Sequence, residues 1–165
     1  MRVLMLATIW VALAGFVAGQ AGVGRHRQTG VAPHWLWPTW CLGLIACVVH
    51  IVLAMGSQHH WSHASALADT ARQTEAVYGL AWGGGLYVNY VFVIVWLSEL
   101  LWWRLDPERY FTQPAWSRWA LRGFYLVIVF NAAVVFAAPD RRVAGVALTA
   151  ALVAAWLAGP SSASN

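Results

Sequence analysis

The stretch LAWGGGLYVNYVFVIVWLSELLWW, residues 80–103, decides the fold class. Its 24 residues carry one charged side chain, Glu99. A hydrocarbon core of ~30 Å is crossed by about 20 helical residues rising ~1.5 Å each, so the run is long enough to span a bilayer. It closes on Trp102 and Trp103, at the headgroup level that indole rings prefer.

Four similar runs flank it. Val3–Gly19 and Trp35–Met55 precede it, and Gly123–Ala138 and Val143–Ala158 follow. The fourth reaches back to Trp119 if Arg122 snorkels to the interface. The sequence therefore predicts an all-α fold, a polytopic transmembrane helical bundle of five spans (about 3–19, 35–55, 80–103, 119–138 and 143–158). Residues 1–165 form one integral membrane domain, with a His-rich interfacial connection over 56–79 that contains a short amphipathic helix between spans two and three. Within that connection Ser62 is the expected N-cap and Gly79 the expected stop. Asp106-Pro107 should cap a short helix after the third span, and Pro139-Asp140 should turn the chain into the fifth. Gly15-x-x-x-Gly19 and Gly79-x-x-x-Gly83 mark places where helix backbones can approach closely. The tail Pro160–Asn165 is small and polar and is expected to be mobile.

Composition agrees: 61% of the residues are hydrophobic and 10% charged, and the mean hydropathy is +0.60. Disorder is excluded by that apolar content, and a disulfide scaffold by the presence of two Cys, Cys41 and Cys47, inside one apolar run. The net charge of +4 comes from Arg distributed among span ends, which points to lipid headgroups as partners and away from nucleic acid. Gly83-Gly84-Gly85 lacks the Lys of a phosphate loop. No Lys is present, so orientation in an inner (plasma) membrane rests on Arg. Arg25, Arg27, Arg104, Arg109, Arg118 and Arg122 fall on one side, and Arg2, Arg72, Arg141 and Arg142 on the other. The positive-inside rule then predicts the N-terminus out and the C-terminus in. A competing reading makes Met1-Arg2 and the following run a cleaved signal peptide with small residues near Ala18 and Ala21, which would reverse the side of the connection. The length of the run and the anchor-like Arg25-His26-Arg27 favour a span.

Three groups of polar residues require explanation. The first is Gln58-His59-His60-Trp61-Ser62-His63. If it is helical, His59 and His63 share a face, and with His60 and Asp140 they could hold a transition metal; without one, His and Trp serve as interfacial residues. Asp69 falls on the wrong face of such a helix, and Arg72 should pair with Asp69 or Glu75. The second is a layer of His50, Asn89 and Asn131 near Tyr87, all about 18 to 22 Å from the Arg-rich face by helix rise. It reads as hydrogen-bonding glue or as a ligand, haem or proton site with His50 as the cofactor residue. The third is Glu99, expected to form an interfacial ion pair with Arg104 or with Arg118.

None of these amounts to a catalytic constellation, and no catalytic residue is nominated. The loops are too short for a soluble domain, so the sequence favours a scaffold or accessory subunit whose partners are the lipid bilayer and other membrane subunits. The alternatives are a metal- or haem-binding redox protein built on His59, His60 and His63, and a small-solute or proton carrier.

Overall fold

The structure, a computed structural model, describes residues 1–30 and 33–157, without the side chains of Arg2, Gln28 and Thr29. The described residues form seven α-helices and no strand. They are α1 (Arg2–Thr29), α2 (Leu36–Ser57), α3 (His63–Tyr78), α4 (Gly85–Leu105), α5 (Pro107–Thr112), α6 (Ala115–Phe130) and α7 (Pro139–Leu157). Asn131–Val135 prolongs α6 as one π-turn. Four segments are long and apolar enough to cross a membrane: Val3–Arg27, Leu36–Ser57, Gly85–Leu105 and Ala115–Val135.

Local chemistry sets the boundaries. α1 runs well past the expected end at Gly19, because the small residues beyond it let the helix continue against its neighbours, and it stops only at Gly30. There φ is 71° and the backbone N–H bonds to the His26 carbonyl at 2.8 Å. A signal-peptide cleavage near Ala21 would cut through the middle of this helix. α4 starts at Gly85 instead of Leu80, since the chain from Gly79 to Gly84 is not helical. α3 has both expected caps: Ser62 Oγ accepts from Ser65 N at 3.2 Å, and Gly79 has φ 71°. α5 begins with Pro107 behind Asp106, whose Oδ1 accepts from Arg109 N at 3.1 Å. α7 carries Asp140, Arg141 and Arg142 in its first turn, and these charges set it apart from the four apolar helices. The expected end of that span at Ala158 and the tail Pro160–Asn165 lie outside the described residues.

α1 and α2 are antiparallel and make the most extensive helix–helix contact. A Cβ on Gly15 would stand 2.7 Å from Gly43 Cα, so the two backbones touch where the first small-residue pair predicts a contact. At one end of this pair His50 and Ser57 reach Met5, and at the other Leu36 packs over Gly22. Phe16 is fully buried, with ring centroids 5.6, 4.9 and 4.8 Å from Phe92, Trp96 and Tyr125, so α1, α4 and α6 meet on it. Between helices in lipid, such dispersion contacts replace the hydrophobic effect as the cohesive force. α7 runs parallel to α1: Gly145 packs on the Ala133 carbonyl near the start of α7, and Trp156 meets Gln20 near its end. The bundle thus has two distinct ends. Met5, Ser57, α3, Asn131 and Pro139 mark one; Arg27, Leu36, Leu105, α5 and Ala115 mark the other.

Candidate functional site

The His-rich connection differs from its expected form. α2 ends at Ser57, α3 begins at His63, and between them His60 and Trp61 take positive φ values of 48° and 62°. This reversal breaks the i,i+4 relation assumed for His59 and His63, so they do not share a helix face. It also brings His59 to Asp69, with Nδ1 3.1 Å from Oδ2 but off the line of a hydrogen bond. Asp69 is paired in addition with Arg72. His63 lies instead against α4, 5.7 Å from Tyr87 and 6.1 Å from Tyr90 between ring centroids. His60 is exposed in the turn, and the exposed Asp140 contacts Arg141 at 3.4 Å. Among the described residues no three His, Cys, Asp or Glu side chains converge to hold a metal.

The polar layer is likewise divided. His50 Nδ1 is 2.9 Å from the Met5 carbonyl, which can only accept, so Nδ1 carries the proton and the imidazole ties α2 to α1. Asn131 Oδ1 accepts from Tyr78 O–H at 2.5 Å, and its Nδ2 donates to the Val127 carbonyl at 2.8 Å. Asn89 is exposed and makes no side-chain hydrogen bond among the described residues. Equal depth does not imply a common direction: each of these side chains leaves its helix on a different face, and two of the three find partners near the α3 end.

Glu99 does not pair with Arg104. The five positions between them turn the helix by about 140° beyond one full revolution, so Arg104 points away and is exposed while Glu99 is 6% exposed. Its carboxylate accepts from two phenols, Tyr110 at 3.3 Å and Tyr125 through a short bond. Tyr110 comes from α5 and Tyr125 from α6, so this one carboxylate links three helices. Burial pushes the Tyr110 phenol well above its ordinary range, and the adjacent Glu99 charge adds to the effect.

Around the Glu99 cluster lies a partly open cavity of about 20 Å³. Gln20 and Arg27 of α1, Gln113 and Arg118 at the α5–α6 junction, and Arg122 of α6 line it together with Glu99. Arg27 donates to the Phe111 and Tyr110 carbonyls at 2.6 and 3.2 Å, and Arg118 to the Gln113 carbonyl at 2.6 Å. Arg122 is 3.5 Å from the Trp156 carbonyl, with its guanidinium over the Trp119 and Trp156 rings at 5.0 and 5.7 Å. Gln20 Oε1 accepts from Trp156 Nε1 at 3.0 Å, and Gln113 Nε2 donates to the Tyr110 carbonyl at 2.9 Å. This is the densest buried polar assembly in the described chain, and sequence reasoning found only Glu99 and the nearby Arg. Gln20 lies beyond the expected first span, and Tyr110 and Gln113 lie in the connection after the third span, where the sequence predicts a short helix without assigning these side chains a role. The missed signal was the concentration of Gln, Tyr and Arg in residues that α1 and α5 bring to one end.

Compared with known protein families, curated proteins and solved structures, the chain matches none.

Proposed function

We propose that this chain is a small multi-pass membrane protein acting as a scaffold or accessory subunit of a membrane complex. One observation carries this reading: several interior polar side chains join one helix to another, whereas the outward faces of α2 and α4 are apolar. Glu99 joins α4 to α5 and α6, Gln20 joins α1 to α7, Arg27 joins α1 to α5, and His50 joins α2 to α1. Leu42, Ile45, Val49 and Val52 of α2 and Ile94 and Leu101 of α4 are exposed.

α7 is read as the fifth span, because it runs parallel to α1 and reaches Trp156 beside Gln20. With five spans the Arg-rich end, with Arg25, Arg27, Arg104, Arg109, Arg118 and Arg122, faces the cytoplasm, giving N-terminus out and C-terminus in at the plasma membrane. The test is crosslinking in native membranes followed by purification in a mild detergent. Recovery with a second membrane protein at constant stoichiometry is expected, whereas a chain recovered alone, with crosslinks to lipid only, would overturn the reading.

A further inference from the structure

Among the described residues, the cavity beside Glu99 holds more hydrogen-bond donors than the carbonyl oxygens around it take up. Each guanidinium has five N–H groups, and among the described residues Arg27, Arg118 and Arg122 each direct one or two of them to carbonyl oxygens. Gln20 is 6% exposed and uses its Oε1 for Trp156, while its amide N–H groups have no partner among the described residues. The acceptors already engage donors of their own: each Glu99 oxygen takes one phenol proton, and Gln113 Oε1 takes the Ser117 hydroxyl at 3.2 Å. Three guanidiniums stand against one carboxylate, so positive charge remains after Glu99 is counted.

We propose that this cavity binds the phosphate of an anionic ligand, receiving one non-bridging oxygen in the space next to Gln20 while Arg118 and Arg122 hold the rest of the group at the mouth. The volume of about 20 Å³ suits a single oxygen atom, and the half-buried guanidiniums supply the planar donor pairs that phosphates accept. The position suits a lipid headgroup: Trp116 and Trp119 are exposed beside Arg118 and Arg122, at the level where indoles meet headgroups. Inorganic phosphate carries the same chemistry, and the experiment separates the two sources.

Full-length protein in neutral detergent is melted with phosphatidylglycerol, phosphatidylcholine or inorganic phosphate added. A saturable rise of about 5 to 10 °C is expected with phosphatidylglycerol and not with phosphatidylcholine, the shift for a ligand near 100 times its Kd. A rise with inorganic phosphate alone supports phosphate recognition and assigns a soluble source. Equal responses to the two lipids with none to phosphate overturn the proposal, since they describe ordinary annular lipid. Arg122→Gln and Gln20→Leu should each lose the response, and Arg104→Gln, at an exposed position outside the cavity, should retain it. A response retained in both cavity variants also overturns the proposal. The wild-type measurements decide the matter even if a variant fails to fold.

Discussion

Trp156 Nε1–H donates to Gln20 Oε1 at 3.0 Å, joining positions 136 residues apart and fastening the last described helix to the first. Trp156→Phe keeps an aromatic ring but leaves the buried Gln20 carbonyl without its donor. A loss of about 0.6 to 2 kcal/mol is expected, the range of interhelical hydrogen bonds in bundles, read from unfolding in mixed micelles.

Gly15 and Gly43 set the distance between α1 and α2. Gly15→Leu forces the backbones apart at a point where a Cβ alone would already be 2.7 Å from Gly43 Cα, and overpacking of that kind costs about 1 to 3 kcal/mol. The same substitution at Gly123, where a Cβ would meet nothing within 4 Å, should leave the unfolding midpoint almost unchanged.

Glu99 depends on its two phenols. Removing both hydroxyls in Tyr110→Phe with Tyr125→Phe strands a buried carboxylate, whereas adding Glu99→Leu to the pair removes the unsatisfied group as well. The triple variant should therefore be more stable than the double one in the same denaturation assay. The reverse order would show that Glu99 is satisfied by something other than these tyrosines.

Tyr110 also carries a pH dependence. Its folded pKa lies above the unfolded value of about 10, so the folded state holds the phenol proton more tightly. The resulting stability is complete below about pH 10 and is lost as pH rises toward the folded value. Tyr110→Phe should flatten the fall in melting midpoint above pH ~10, after correction for its change at neutral pH.

Topology supplies a further check. Reporter fusions after Gly56 and after Arg104 should report opposite sides, and a fusion after Leu157 should agree with the one after Arg104. Disagreement between the last two would mean that α7 does not cross the bilayer.

The helical class and the caps of α3 and α5 were open to sequence reading because they depend on local causes. Apolar run length identifies a span in a solvent that satisfies no backbone group, and Ser62, Gly79 and Asp106-Pro107 act within one turn of themselves. The direction of each polar side chain depends on rotation about the helix axis, which rise alone does not specify. His50, Asn89 and Asn131 share a depth, yet they face different surroundings.

By itself the sequence determined an all-helical chain with long apolar segments and an Arg-rich end, since these follow from composition and from neighbours a few residues apart. Tertiary structure decided which groups meet. Left-handed backbone at His60 and Trp61 sent His59 to Asp69 and His63 to α4, and the continuation of α1 to Thr29 carried Gln20 and Arg27 to the Glu99 cluster. The physical reason is the same in both places: a few backbone angles, or a helix that does not stop, redirect every side chain beyond them, and only packing against the other helices selects that outcome.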